Sequence, residues 1–207
     1  MVPANAPATP PAVASPAAAP AAALAAIQAL RASMPDAAKD VRLNLPAVLA
    51  AGGALSPAQT FGCALAAAWS LRRRDLVDAL VTDARAALGE AFAAVNDDAV
   101  TAATLMAMNN VYYRFRHQVG KPEYGTRPAR LRMTKLATPA TTRADLELFS
   151  LAVSALNGCE ACVRAHEATA LGHGLGVAHV EDAVRIAAVV ASAATALFAG
   201  EAIAAAG

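Results

Sequence analysis

The chain has 207 residues, 57% of them hydrophobic and 4% aromatic, with 17 basic against 16 acidic side chains and a net charge of +1. About 29% of the residues are alanine, the best helix former, and strand formers are scarce; this excludes an all-β fold and predicts an all-α one. The near-neutral balance leaves no basic field for nucleic acid, and three cysteines cannot staple a secreted disulfide scaffold.

Residues 1–22 are rich in alanine and proline, and six of the chain's twelve prolines fall within the first twenty positions. That density argues against a helix and reads as a disordered extension with polyproline character. No charged region precedes it, so it is a poor signal peptide and the cytoplasm is the expected compartment. A single domain is expected over 23–207. Ala21 to Met34 has helical composition. Asp36 opens a second short helix that Pro46 interrupts or restarts, and Gly52-Gly53 breaks the chain.

Ser56-Pro57 is a helix start, with serine as cap and proline at the first helical position. The helix from Ser56 to about Arg72 is apolar on most sides and reads as buried. Asp75 to Leu88 follows as an amphipathic helix. Asn96-Asp97-Asp98 is expected to cap a long helix running through Met106 and Tyr113. The polar segment Arg116 to Arg132 reads as the extended loop. Helices are then predicted from about Thr142 to Leu156, from Cys159 to about Leu171, and from about Val180 to Ile203. No membrane span is expected. Pro46, the glycine pair and Pro57 divide the uncharged stretch Leu43 to Leu71, and Ile186 to Gly200 falls short of the roughly 20 residues a span needs.

A weak internal repeat is visible. A shift of 88 residues lays Gln59-Thr-Phe61 on Glu147-Leu-Phe149, and Leu71, Arg74 and Asp78 on Cys159, Cys162 and His166. A shift of 84 lays Asp98-Ala-Val100 on Asp182-Ala-Val184. Two related helical halves are therefore expected: 23–133, which has lost the chemistry, and 134–207, which holds it.

That chemistry centres on Cys159-Glu-Ala-Cys162 and His166. At about 100° per residue the three side chains share one helix face. Thiols on adjacent turns can close a disulfide with little motion. Cys159 sits at the helix start, where free N–H groups favour a thiolate. His166, four residues beyond Cys162, can take or return a proton. By this reading the dipole favours Cys159 as the attacking thiol, and proximity to His166 favours Cys162. Glu147 on the preceding helix could orient the imidazole, although by position alone it reads as a solvated helix residue. Zinc needs about four ligands in a closed shell, and His166, His173 and Glu147 do not give a zinc spacing. Cys63 reads as a buried core thiol, His117 and His179 as ordinary residues, and His173 as a helix-end contact.

At these residues the chain resembles the AhpD alkylhydroperoxidases of the carboxymuconolactone decarboxylase-like superfamily. The family pattern of a glutamate, eleven residues and then Cys-x-x-Cys-x-x-x-His is met by Glu147, Cys159, Cys162 and His166. The segments Met34 to Leu45, Met108 to Arg114 and Leu131 to Met133 resemble it too. The resemblance implies a helical subunit of two related halves assembled as a homotrimer. It implies a thiol enzyme that reduces alkyl hydroperoxides and also restores an AhpC-type peroxiredoxin. Electrons would come from dihydrolipoamide on a lipoyl carrier protein kept reduced by dihydrolipoamide dehydrogenase, with no tightly bound cofactor or metal.

It further implies that Cys162 becomes the sulfenic acid and that Cys159 is proton donor and resolving thiol. A Cys159–Cys162 disulfide would close each cycle, with Glu147 and His166 as the proton relay. Well-known members carry histidine where this chain has Ala161, which bears on thiol acidity and rate. The alternatives are another CxxC thiol–disulfide reductase or a decarboxylase-like enzyme on the same fold, or a non-enzymatic metal-binding oligomer.

Overall fold

The computed structural model describes residues 24–50 and 52–206; the expected extension over 1–22 lies outside them. Among the described residues the chain is all helical, with no strand. Those described residues form nine α-helices, in chain order α1 Ala25–Leu30, α2 Lys39–Leu49, α3 Pro57–Leu71, α4 Arg74–Leu88, α5 Phe92–Val119, α6 Pro122–Thr126, α7 Arg143–Leu156, α8 Glu160–Gly172 and α9 Val177–Ala206.

The core is built on α3 and α7. Thr60 through Ala68 and Leu146 through Ser154 are buried without a break, because each helix is covered on almost every side. They cross at Gly62, where an added Cβ would lie 2.0 Å from the Phe149 ring, so only glycine admits that phenylalanine. Long helices α5 and α9 each pack against both. Helix α4 lies against α1 and α3, and α8 against α7 and α5.

Local chemistry explains the boundaries. Ser56 caps α3 with Pro57 in its first turn, as the sequence predicts, and the Gln59 side chain completes a reciprocal capping box. Thr142 caps α7 by accepting from the Asp145 amide at 3.1 Å. Short α1 has no cap of its own; Asp83 of α4 accepts from the amides of Ala26 and Ile27 at 3.0 and 2.9 Å.

Three expectations are corrected. Pro46 lies inside α2 and neither interrupts nor restarts it. A proline there cannot donate to the carbonyl of Arg42, and the Arg31 guanidinium fills that position at 3.1 Å. Asn96-Asp97-Asp98 does not cap α5, which starts at Phe92. Asp98 is instead fully buried and holds the loop before α7, accepting from the amides of Ala140 and Thr141 and from the Thr141 hydroxyl at 3.0, 2.7 and 2.6 Å. Lastly, the apolar carboxy-terminal helix is longer than its uncharged core suggests. At 30 residues, α9 is long and apolar enough to cross a membrane by length and composition. It packs against α2, α3 and α7, and Phe198 and Ile203 near its end are exposed.

Candidate active site

The site lies where α7 turns into α8, against α5. Gly158 takes a left-handed φ of +64°. Its amide bonds to the Ala155 carbonyl and the Cys159 amide to the Ser154 carbonyl, both at 3.1 Å. This is a Schellman ending, and it reverses the chain within three residues. Cys159 thereby becomes the residue that opens α8, fully buried, with its carbonyl accepting from the Val163 amide at 2.9 Å. One turn on, Cys162 is also buried. The two are joined as a disulfide with a Cα–Cα separation of 5.3 Å.

Helix α5 pins the turn from the other side. Asn110 Nδ2 donates to the Ser154 hydroxyl and Asn157 Nδ2 donates to Asn110 Oδ1, each at 2.9 Å. Arg114 donates to the Asn157 carbonyl. The Asn109 carbonyl faces Cys162 Sγ at 4.0 Å, and Asn109 Nδ2 points at Met133 Sδ at 3.1 Å. The Asn109 side-chain oxygen is buried and has no partner among the described residues.

Glu147 and His166 meet behind the disulfide. Glu147 Oε2 lies 2.5 Å from His166 Nδ1, and Glu147 Oε1 lies 2.5 Å from Arg143 Nη2. Glu147 is only 3% exposed, so the reading of a solvated helix residue is corrected. Burial pushes its pKa up, but the His166 hydrogen bond and charge, with Arg143 added, outweigh burial and hold the carboxyl below its ordinary value. The carboxylate is ionised at neutral pH and accepts, so Nδ1 carries the hydrogen. That leaves Nε2 as the exchangeable nitrogen; it faces Met106 Sδ at 3.2 Å.

The structure thus brings Cys159, Cys162, His166 and Glu147 together. It places the other candidates elsewhere. Cys63 is buried in α3, where desolvation and then the Asp145 charge push its thiol pKa far up. His173 ends α8, its amide bonding back to the last turn. His179 Nδ1 accepts from the Gly176 amide at 3.1 Å beside the start of α9, and His117 lies 3.2 Å from Glu160. Among the described residues no cluster of three His, Cys, Asp or Glu could hold a metal ion. Residue-by-residue reading missed Arg143, Met106, Asn109 and Asn110. The i,i+4 spacing of Arg143 and Glu147 was the one available signal. The three residues on α5 contact the site across the fold, and no spacing within the chain marks them.

Comparison with known proteins fits this geometry. The carboxymuconolactone decarboxylase family matches residues 122–206, which contain α7, α8 and α9. A protein from Anaeromyxobacter sp. (strain Fw109-5) named alkyl hydroperoxide reductase AhpD is 58% identical over 175 residues, covering 84% of this chain and 92% of that protein. Proteins of the same name from Anaeromyxobacter dehalogenans (strain 2CP-C) and Rhodopseudomonas palustris (strain BisB18) are 55% and 46% identical, over 83% and 85% of the chain and 90% and 95% of their own lengths. Similarity of this extent, nearly end to end on each relative and running through the cysteine pair, places the chain in the AhpD alkyl hydroperoxide reductase family.

Proposed function

We propose that this chain is a thiol peroxidase that reduces alkyl hydroperoxides and is regenerated by dihydrolipoamide. The carrying observation is the Cys159–Cys162 disulfide lying beside the His166–Glu147 pair, whose carboxylate is buried. The bonded pair is the oxidised end of the cycle.

The cycle balances on these groups. In the reduced protein Cys162 passes its proton to His166 Nε2, one helical turn away, and Glu147 stabilises the imidazolium. The Cys162 thiolate attacks the terminal oxygen of the hydroperoxide and the O–O bond breaks. Cys162 becomes a sulfenic acid, and the departing alkoxide takes the Cys159 proton and leaves as alcohol. The Cys159 thiolate then attacks the Cys162 sulfur. Hydroxide leaves with the proton stored on His166, as water, and the disulfide closes. A dihydrolipoyl dithiol returns two electrons and two protons by exchange. The same dithiol state would restore an AhpC-type peroxiredoxin. The half-buried Ala161 puts no imidazole beside Cys162, so His166 carries the proton transfer alone.

Two further features of the resemblance belong to this reading. The exposed apolar side chains Phe198 and Ile203 near the end of α9 suit burial between subunits of a homotrimer. Duplication is supported by reciprocity: Asp98 of α5 holds the loop before α7, and Asp182 of α9 accepts from the Ala54 amide before α3 at 2.7 Å.

A coupled assay with lipoamide, its dehydrogenase, NADH and cumene hydroperoxide tests the function. The wild type should oxidise NADH in proportion to peroxide, and Cys162→Ser should fall by about a thousandfold or more, to background. Peroxide consumption with no Cys159–Cys162 disulfide formed along the way would sink the reading.

A further inference from the structure

The segment running from the last turns of α5 through α6 into the following loop takes no part in the chemistry above. Between Arg114 and Arg132 it carries six basic residues and one carboxylate, Glu123, while the other eleven basic residues share the chain with fifteen carboxylates. Seven of those eleven are ion-paired, yet among the described residues none of the six in this strip meets a carboxylate. Lys121, Arg127, Arg130 and Arg132 are exposed. A nearly neutral chain therefore presents one concentrated, unneutralised positive surface.

The strip is ordered by its own contacts. The Arg116 guanidinium lies 4.7 Å over the Tyr112 ring and donates to the Arg127 carbonyl. Phe115 meets Tyr124 edge-on at 5.5 Å. Both ends of the strip lead to residues that border the redox centre. At the near end Arg114 holds the Asn157 carbonyl, and His117 approaches Glu160, the residue after Cys159. At the far end Met133 meets Asn109, whose carbonyl faces Cys162.

We propose that this strip is the docking surface for an acidic face of the protein that carries the dihydrolipoyl group to the Cys159–Cys162 disulfide. The proposal rests on the function argued above and adds the surface its electron donor uses. Free dihydrolipoamide is uncharged, so the strip cannot recruit it; only the protein bearing the group can answer the charge. A positive patch beside a reacting centre raises the encounter rate with a negative partner by about tenfold to a thousandfold at low salt, and the gain falls with ionic strength. Once the carrier is docked, one dithiol sulfur attacks the protein disulfide and the second closes the lipoyl disulfide. Two electrons and two protons pass to Cys159 and Cys162.

The test compares two donors on the full chain: free dihydrolipoamide, and an isolated acidic lipoyl domain kept reduced by dihydrolipoamide dehydrogenase and NADH. Appearance of the Cys159 and Cys162 thiols is followed at low and high salt. The variant combines Lys121→Glu, Arg127→Glu and Arg132→Glu. It should lose about tenfold or more of the lipoyl-domain rate at low salt while its rate with free dihydrolipoamide stays within about twofold. Salt should slow the wild type with the lipoyl domain and not with free dihydrolipoamide; that arm decides even if the variant fails to fold.

Equal lipoyl-domain rates in variant and wild type, or a wild-type rate indifferent to salt, overturn the docking surface and leave the function standing. A variant that changes oligomeric mass, or loses binding to an RNA oligomer or to anionic vesicles, while keeping the lipoyl-domain rate, overturns it too. A wild type inert to both donors removes the functional reading itself.

Discussion

The α3–α4 and α7–α8 hairpins are built alike and end differently. Each starts from a hydroxyl cap, Ser56 or Thr142. Each runs a nearly fully buried helix into a tight turn with a left-handed residue, Arg72 or Gly158. Each has the loop before it held by an aspartate from a distant helix. At the turn they diverge. Where α8 carries Cys162 and His166 facing the core, α4 carries Arg74 and Asp78, a surface ion pair at 2.8 Å. Where Glu147 binds His166, Gln59 donates to Asp145 Oδ1 at 2.9 Å, a purely structural contact between the two central helices. The frame is shared, and only the second hairpin carries the thiol pair with His166 and Glu147 beside it.

Substitution at the matched positions gives the largest contrast. His166→Gln should cut peroxide turnover by about a hundredfold, because the Cys162 proton loses its acceptor. Asp78→Asn removes only an exposed, screened charge pair and should leave turnover within about twofold. Stopped-flow oxidation of the reduced protein by cumene hydroperoxide measures both. Comparable losses at the two positions would erase the distinction between the hairpins.

The loop-holding aspartates give a second, smaller contrast, this time in stability. Asp98 is fully buried with three donors on its carboxylate, so Asp98→Asn should destabilise the fold by about 2 kcal/mol. Asp182 takes one amide from an exposed loop and shares its charge with Arg185. Asp182→Asn should cost under about 1 kcal/mol. Urea unfolding reads both, and a larger loss at Asp182 would mean that the first hairpin, not the second, is the more tightly held.

Much of this was legible in the chain. Ser56-Pro57, the helical periods and the Cys159, Cys162 and His166 face are local signals, and local signals survive without tertiary knowledge. Where reading went astray, a distant group had intervened. Pro46 stays helical because Arg31, fifteen residues away, supplies the missing donor. Asp98 looks like a cap and is one, but for a loop more than forty residues on. Glu147 looks solvated because nothing in its own helix except Arg143 announces that His166 will cover it.

Arg143 gives the finest test of what sets the furnished hairpin apart. Its Nη2 holds Glu147 Oε1 while its Nη1 donates to the Leu136 carbonyl at 2.6 Å, so the guanidinium is fixed before it fixes the carboxylate. With Oε1 occupied, Oε2 is left for His166. A carboxyl held below its ordinary value adds stability that is present above the unfolded value and lost as pH falls through the folded one. The acid limb of peroxide turnover should follow the same protonation, since a neutral Glu147 no longer supports the imidazolium. Arg143→Gln removes one of the groups opposing burial, so Glu147 titrates at higher pH and the acid limb moves up. At neutral pH, where Glu147 stays ionised, turnover should fall by less than about tenfold. Arg143→Lys keeps the charge and should return the limb toward the wild-type position, which a packing role alone would not do. An acid limb that stays in place in Arg143→Gln would show that His166 by itself holds Glu147 ionised.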